Sequence, residues 1–238
     1  MKKARFCAVL VLLTVCATSF AQFTNSSSVS SSASGSDKWS SFWVEYNPSS
    51  LNPSKGDNQS FTGLSAGFSR AFSLSSSSPL FLEGGLGIQY SFYSVDGGDD
   101  EDYDDYGYDD YYDDEMSIKV NWLSLKVPLN FVYRYNIPNS NIALCPFAGV
   151  TLRFNLFGKE KLDWDIEDEE PEELDLFDKD DMGSQDATWK RFQIGWQIGA
   201  KALFNNKVTL GVSYGSDFSE IVKKTKVNTT TVSLGFIF

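Results

Sequence analysis

Apolar and polar residues alternate with a period of two along most of this chain, in segments that are separated by polar interruptions. Such alternation predicts β-strands with one apolar face and one polar face. Eight segments show it, at residues 37–47, 60–73, 79–95, 116–135, 141–157, 189–204, 207–215 and 227–238. The chain is therefore predicted to be all-β.

The connections between these segments alternate in length, with 12, 5, 20, 5, 31, 2 and 11 residues. Antiparallel strands joined in this way place every short turn at one end and every long loop at the other. Outer-membrane barrels have this asymmetry, with short periplasmic turns, long external loops and an even number of strands. The pattern predicts a closed antiparallel eight-stranded up-and-down transmembrane β-barrel. The first strand should pair with the last, because an open edge would leave backbone groups unpaired in lipid.

The composition of the two strand faces decides between a membrane and a water-soluble barrel. A soluble barrel of the lipocalin type would turn its apolar face inward and expose a charge-rich outer face. Here the less apolar face holds mostly Gly, Ser, Thr and Gln, which favours a narrow packed interior and an apolar face toward lipid. Aromatic residues near segment ends, Trp189 among them, fit the interfacial girdles of such barrels.

Three positions predict irregularities in the sheet. Pro128 and Pro146 each remove a hydrogen-bond donor from the ladder, so bulges are expected there. The apolar pattern also changes parity between Trp122 and Leu123, where a bulge would absorb one residue.

The first 36 residues differ from the rest of the chain. A cationic start, an apolar run over residues 6–15 and a small-x-small site at residues 19–21 indicate an export signal. We predict a signal peptide at 1–21, a Ser-rich flexible tether at 22–36 and an outer-membrane β-barrel at 37–238. A lipoprotein signal at Cys16 is the alternative, which the bulky Val15 before it disfavours. Cleavage would leave Cys145 as the lone thiol, so no intrachain disulfide is expected.

The net charge of −12 hides a strong segregation of acidic residues. Of the 32 Asp and Glu residues, 12 lie in residues 96–115 and 14 in residues 158–188, the two longest predicted loops. A field this negative repels nucleic acid and attracts cations and basic partners, so no nucleic acid is expected, whereas basic or Ca²⁺-bridged surface partners are. Long acidic runs also act as solvated, disordered shields, and that interpretation stays open.

Calcium is the metal to consider for the first acidic loop, because carboxylates supply hard oxygen ligands. A register that starts at Asp102 puts Gly107 where an EF-hand needs glycine but lacks the glutamate at its twelfth position. Only weak Ca²⁺ binding is predicted, with Asp100, Asp102, Asp104 and Asp113 as candidate ligands, and no other cofactor is expected. Five tyrosines in the same loop supply rigid contact area.

Charged residues on the less apolar face are expected to form a hydrogen-bonded network inside the barrel, because an unpaired charge there is costly. The predicted members of this interior network are Glu83, Lys126, Arg134, Arg153, Arg191 and Lys201. An ion path is disfavoured, since eight strands leave an interior that side chains fill.

The chain contains no histidine, which excludes Ser-His-Asp and Cys-His catalytic sites and His-ligated metals. A paired-carboxylate hydrolase that uses Glu83 or loop acids is the remaining enzymatic alternative, but no spacing singles out a pair. We predict a protein without enzymatic activity.

Several stretches of the chain resemble the eight-stranded outer-membrane β-barrel domain family that includes the PorT-like barrels. They are the alternating run at residues 123–129, the Pro-Phe-Ala-Gly sequence at 146–149, the Gly-rich third and sixth segments and a last strand ending in Phe238. The resemblance implies that Phe236 and Phe238 belong to a C-terminal signal that the barrel-assembly machinery reads. It also implies the outer membrane of a Gram-negative-type bacterium, with membrane lipid as the surrounding partner.

The expected function is the display of acidic external loops for interaction, adhesion or surface shielding. The alternative, carried by analogy with the family, is a barrel subunit of a protein-secretion or envelope-assembly complex.

Overall fold

A computed structural model describes residues 38–75, 78–97, 116–164 and 171–238, so the signal peptide and tether lie outside the described residues. The strands are β1 (Lys38–Pro53), β2 (Gln59–Ser73), β3 (Leu80–Gly97), β4 (Met116–Tyr133), β5 (Tyr135–Asn136), β6 (Ile142–Trp164), β7 (Glu172–Asp175), β8 (Phe192–Phe204), β9 (Val208–Asp217) and β10 (Thr225–Ile237). Among these residues, no helix is both long and apolar enough to cross a membrane.

Eight long strands form one antiparallel sheet that closes on itself. The ring runs β1-β2-β3-β4-β6-β8-β9-β10, and β10 pairs back with β1 from Ile237 opposite Ser41 to Thr225 opposite Pro53. The short strands β5 and β7 pair with β6 outside this ring. The predicted eight-stranded up-and-down barrel, including the pairing of its first and last strands, is confirmed.

The apolar face of the sheet points outward, away from the lumen. Ile198 of β8 points outward and is 55% exposed. Lys126 of β4 points into the lumen, opposite to the outward-facing Leu125 and Val127 beside it, and is 5% exposed. The same alternation holds around the ring, where Leu, Ile, Val and aromatic residues line the outer surface and Ser, Asn, Gln and charged residues line the lumen. This arrangement matches an apolar band toward lipid and a polar barrel interior.

The two ends of the barrel differ in their connections. The turn end has residues 74–79, 134–141 and 205–207, and the loop end has residues 54–58, 98–115, 165–191 and 218–224. The first loop-end connection is much shorter than predicted, because β1 does not stop at Asn47 but continues to Pro53. Pro48 still pairs with Thr62 of β2, and only the ladder with β10 is interrupted around it, without a change of register.

Three strands continue beyond the rim at the loop end. The sequence predicts that the fifth segment ends at Phe157, but β6 runs to Trp164 and stays paired with β4 up to Met116. Residues 158–164, assigned from the sequence to an acidic loop, are therefore strand. We call residues 93–97 of β3, 116–121 of β4, 158–164 of β6 and the strand β7 the loop-end extension.

Neither predicted proline bulge is present. Pro128 pairs with Thr151 of β6, and the ladder between β3 and β4 skips Pro128 but resumes in the same register. Pro146 pairs with Ala200 of β8 in an unbroken register. On its other side it separates β4 from β5, which continue in one register along β6. Each proline thus interrupts the pairing with one neighbouring strand but does not change the register of the sheet.

The change of parity at Trp122 also has a different cause from the one predicted. β4 keeps one register with β3 along its whole length, and Val120 and Trp122 both face the lumen. At the level of Val120 and Trp122 the lumen is lined by apolar side chains. The inward positions of β4 therefore change from polar to apolar along the strand, while the direction in which they point stays the same. The bulge that does exist lies on the neighbouring strand β6, where Leu156 is the extra residue opposite Leu123 and Ser124.

Candidate functional site in the lumen and at the loop-end rim

Three ion pairs cross the lumen between strands that are not neighbours. Lys126 Nζ of β4 lies 2.6 Å from Glu45 Oε2 of β1, and Lys201 Nζ of β8 lies 2.8 Å from Glu83 Oε2 of β3. The third pair joins Arg153 of β6 to both carboxylate oxygens of Asp217. The two partners of each pair lie two or three strands apart around the ring. These contacts therefore connect different sides of the barrel wall across the lumen.

Neutral side chains complete the hydrogen bonding of two of these carboxylates. Ser65 Oγ donates to Glu45 at 2.8 Å and Ser69 Oγ donates to Glu83 at 2.7 Å. Asn47 links this layer to the last strand, because Thr231 Oγ1 donates to its Oδ1 at 2.9 Å. Buried charges need partners of this kind to offset their loss of hydration.

The six residues predicted for the interior network occupy three different settings. Glu83, Lys126, Arg153 and Lys201 lie in the cross-lumen pairs. Arg134 lies at the mouth of the turn end, where its Nη2 donates to Asn206 Oδ1 at 2.8 Å.

Arg191 lies at the base of the loop-end connection. Its Nη1 donates to the Leu156 carbonyl at 3.0 Å. Leu156 is the bulged residue of β6, so the guanidinium binds the backbone at the point where the ladder with β4 is irregular.

Sequence reasoning missed the two carboxylates Glu45 and Asp217. Glu45 lies between Val44 and Tyr46, which face outward, so strand alternation in the sequence alone would have predicted that it faces the lumen. Asp217 lies just beyond residue 215, where the seventh segment was expected to end, whereas β9 extends to it.

Two apolar clusters close the lumen above and below its polar layer. The cluster at the turn end contains Ala71, Phe81, Val132, Ala143, Cys145, Phe147 and Leu203. The cluster at the loop end contains Leu51, Phe61, Val120, Trp122, Leu176, Trp189, Ile221 and Val227. Between them, Gln89, Arg153 and Gln197 help to line a cavity of about 30 Å³, which is room for one or two water molecules.

The loop-end cluster is closed by residues that come from connections and not from the barrel wall. Leu176 and Ile221 are fully buried, and Trp189 is 8% exposed with its ring 5.1 Å from that of Trp122. The assignment of Trp189 to an interfacial girdle is therefore wrong, since it packs inside the mouth. The segment 171–191 is thus anchored at both of its ends by buried side chains.

A charged cluster lies on the outer face of the loop-end extension. Lys159 and Lys161 of β6 both pair with Glu173 of β7, the second at 2.7 Å. These two hydrogen bonds lower the pKa of the Glu173 carboxyl to about 2. The pairing stabilises the β6–β7 hairpin at neutral pH.

We expect the Glu173 carboxylate to titrate near pH 2 and not near its ordinary value of 4.5. A carboxyl whose pKa is lower in the folded state stabilises the fold above pH 4.5, and that contribution is lost as the pH falls through about 2. Carbon-detected NMR titration of the side chain would measure this midpoint. Lys159→Gln should raise it, whereas Lys55→Gln, on the β1–β2 connection, should leave it unchanged. A wild-type midpoint near 4.5 would contradict the pairing.

The candidate calcium ligands Asp100, Asp102, Asp104 and Asp113 lie outside the described residues. Within the described residues, no group of three or more Cys, Asp or Glu side chains is placed to hold a metal ion. Phe236 and Phe238, the predicted assembly signal, are both exposed on the outward face at the end of the chain. Glu83, considered for hydrolysis, is 5% exposed and engaged with Lys201.

Several solved structures are similar to this chain. Ail, the attachment invasion locus protein of Yersinia pestis, solved with the heparin analogue sucrose octasulfate, is 16% identical, with a TM-score of 0.38, and the match covers 85% of this chain and 100% of that one. Neisserial surface protein A is 12% identical, with a TM-score of 0.41 and coverage of 84% and 97%. The outer membrane enzyme PagL is 12% identical, with a TM-score of 0.40 and coverage of 81% and 97%.

No curated protein sequence matches this chain. The family model described as the outer membrane protein beta-barrel domain matches residues 20–222, which is most of the chain. The closed antiparallel ring and its outward apolar face agree with that description. The protein therefore belongs to the outer membrane protein beta-barrel domain family and resides in the outer membrane of a Gram-negative bacterium.

Proposed function

We propose that this protein is a non-enzymatic barrel that raises acidic, tyrosine-rich loops from the outer membrane for interaction, adhesion or surface shielding. The loop end faces outward from the cell in this proposal, and the turn end faces the periplasm. The observation that carries the proposal is the loop-end extension, because β3 and β4 run as a paired ladder to Gly97 and Met116, on either side of the first acidic segment.

The length of these strands supports a display role. A transmembrane strand needs about 9–11 residues, whereas β3 and β4 each have 18 residues and β6 has 23. The additional residues are paired and carry charged side chains such as Lys119 and Asp163 on their surface. The extension therefore forms a rigid base for residues 98–115.

The chemistry of the lumen supports a role without catalysis. Its carboxylates Glu45, Glu83 and Asp217 each contact a cation, and the apolar clusters separate them from both ends of the barrel. A general acid or base has to reach its substrate. Buried and paired carboxylates serve the packing of the barrel instead.

Deletion of residues 99–114 is expected to leave membrane insertion intact and to abolish binding of Ca²⁺ or of basic surface partners. The reason is that the deletion removes 10 acidic residues and all five tyrosines of the first loop but no residue of a described strand. Insertion is measured by the heat-dependent gel migration of the barrel, and Ca²⁺ binding by isothermal titration calorimetry on the reconstituted protein.

The matched control for this deletion is Glu172→Gln combined with Asp180→Asn, which neutralises two exposed acidic residues of the second loop. This variant should bind as the wild type does. The finer variant set Asp100→Asn, Asp102→Asn, Asp104→Asn and Asp113→Asn tests the four candidate ligands. Unchanged Ca²⁺ and partner binding after the deletion would leave surface shielding as the role of the loop.

A second candidate function is that of a barrel subunit in a secretion or envelope-assembly complex, as in the PorT-like barrels. One feature favours it. The ladder between β2 and β3 ends at Thr62 and Phe92, so residues 93–97 of β3 are paired only with β4 within the described residues. A partner strand could add to this edge. Gentle detergent extraction would then recover other envelope proteins with the barrel, also from cells that carry the 99–114 deletion.

A further inference from the structure

Two basic side chains lie on adjacent strands of the outward surface at the turn end. Lys38 begins β1 and Arg70 lies near the end of β2, and the register pairs Lys38 with Phe72 and Ser40 with Arg70. By strand alternation these side chains all point away from the lumen, on the same face as the exposed Phe68. Lys38 and Arg70 are therefore diagonal neighbours on the surface that meets lipid.

A notch in the apolar surface lies directly beside Arg70. On its other side Arg70 pairs with Gly84 of β3, which has no side chain to cover the sheet. A Cβ atom at Gly84 would meet only Leu129 Cδ2 within 4 Å, at 3.4 Å. Exposed Leu82 and Phe68 stand on neighbouring outward positions, so the notch has apolar walls.

The position of the guanidinium fits the boundary between headgroups and acyl chains. Arg70 Cζ lies 5.2 Å from the centre of the Phe72 ring, which is itself exposed toward lipid. Aromatic and basic side chains that meet at this level are typical of membrane interfaces. The arginine is thus held at the edge of the apolar band and not at the mouth of the lumen.

The charged side chains that the structure describes at the turn end, outside the lumen, have one sign. Outside the lumen, the charged side chains that the structure describes at this end are Lys38, Arg70, Arg134 and Lys207, and all four are cations. The Asp and Glu residues that the structure describes lie either in the lumen or toward the loop end. A surface with this polarity complements an anionic leaflet.

We propose that Lys38, Ser40, Arg70 and Gly84 form a binding site for an anionic glycerophospholipid in the leaflet at the turn end. The two cations and the serine hydroxyl bind the phosphate diester, since guanidinium and ammonium groups make charge-assisted hydrogen bonds to phosphate. One acyl chain lies in the notch over Gly84. With the loop end facing outward, as proposed above, this leaflet faces the periplasm, but the site does not depend on that orientation.

The test uses the mature chain in nanodiscs that contain equal amounts of phosphatidylglycerol and phosphatidylcholine, and native mass spectrometry of the lipids that remain bound. Wild type is expected to retain phosphatidylglycerol over phosphatidylcholine. Lys38→Gln with Arg70→Gln should reduce this preference by roughly fivefold for each basic side chain removed. Lys38→Arg with Arg70→Lys should keep the preference, because both charges remain.

Two further variants separate the site from charge in general. Lys55→Gln with Lys224→Gln removes two exposed cations at the loop end and should not change the preference. Gly84→Leu fills the notch, keeps both charges and should lower retention of the tightest-bound lipid. Equal retention of both lipids by wild type, an unchanged preference in the Lys38 and Arg70 double variant, or the same loss in the loop-end control would overturn the proposal. Unchanged retention in Gly84→Leu would overturn the acyl-chain part of it.

Discussion

Replacement of Glu83 by Gln is expected to lower the free energy of unfolding by about 3–5 kcal/mol, the cost of breaking a buried ion pair on one side. In the wild type, Lys201 Nζ lies 2.9 and 2.8 Å from the two Glu83 carboxylate oxygens. The substitution leaves this ammonium group in the lumen without its counter-charge. Urea unfolding of the barrel in lipid vesicles, followed by tryptophan fluorescence, would measure the loss.

The double variant Glu83→Gln with Lys201→Met removes both charges and should recover most of this stability. The matched control is Lys119→Gln at the loop end, whose partner Asp163 is 3.6 Å away and about half exposed. An exposed pair of this kind contributes about 1 kcal/mol or less. If the double variant were as unstable as Glu83→Gln alone, the ion pair would not be the source of the effect.

Replacement of Gly87 by Ala is expected to destabilise the barrel by about 3 kcal/mol or to prevent its folding, because the lumen has no room for one more methyl group. A Cβ atom at Gly87 would lie 2.5 Å from the Ala66 carbonyl oxygen and 2.5 Å from Trp43 Cη2. The tryptophan could rotate away, but the backbone oxygen of the paired strand could not. The fraction of protein that shows heat-dependent gel migration after refolding into vesicles reports the outcome.

Gly84→Ala is the matched control on the same strand. Its new methyl group would point outward and contact only Leu129, at 3.4 Å, so folding should be unaffected. Combining Gly87→Ala with Trp43→Phe removes the indole contact and leaves the backbone contact, which predicts partial recovery. Folding of Gly87→Ala to the same extent as Gly84→Ala would mean that the lumen is less tightly packed than described.

Strand parity in the sequence identified which side chains face the lumen but not which of them meet. Glu83 and Lys201 are 118 positions apart, and no local pattern links them. Their contact depends on the stagger of the strands around the ring, which a closed sheet sets through the register of all its pairs. For the same reason the partners Glu45 and Asp217 became apparent only in the folded barrel.

Predictions from local sequence were wrong at positions where contacts with distant parts of the chain determine the structure. The first segment is predicted to end at Asn47, directly before Pro48, yet Pro48 stays paired with Thr62 of β2 and the strand continues to Pro53. Trp189 reads as an interfacial aromatic residue, yet its ring packs against Trp122 inside the mouth. Propensity and position along the chain do not record such contacts, because they arise between elements that are distant in sequence.

The sequence by itself determined the class of the fold, the number of long strands and the face that meets lipid. The reason is that side chains in a strand alternate strictly, so a one-dimensional pattern is enough to separate an apolar surface from a polar one. Only the tertiary structure decided which charges cross the lumen, where the bulge at Leu156 falls and how Leu176 and Ile221 close the mouth. These features follow from closure of the ring, which relates residues by their height and angle in the barrel and not by their spacing along the chain.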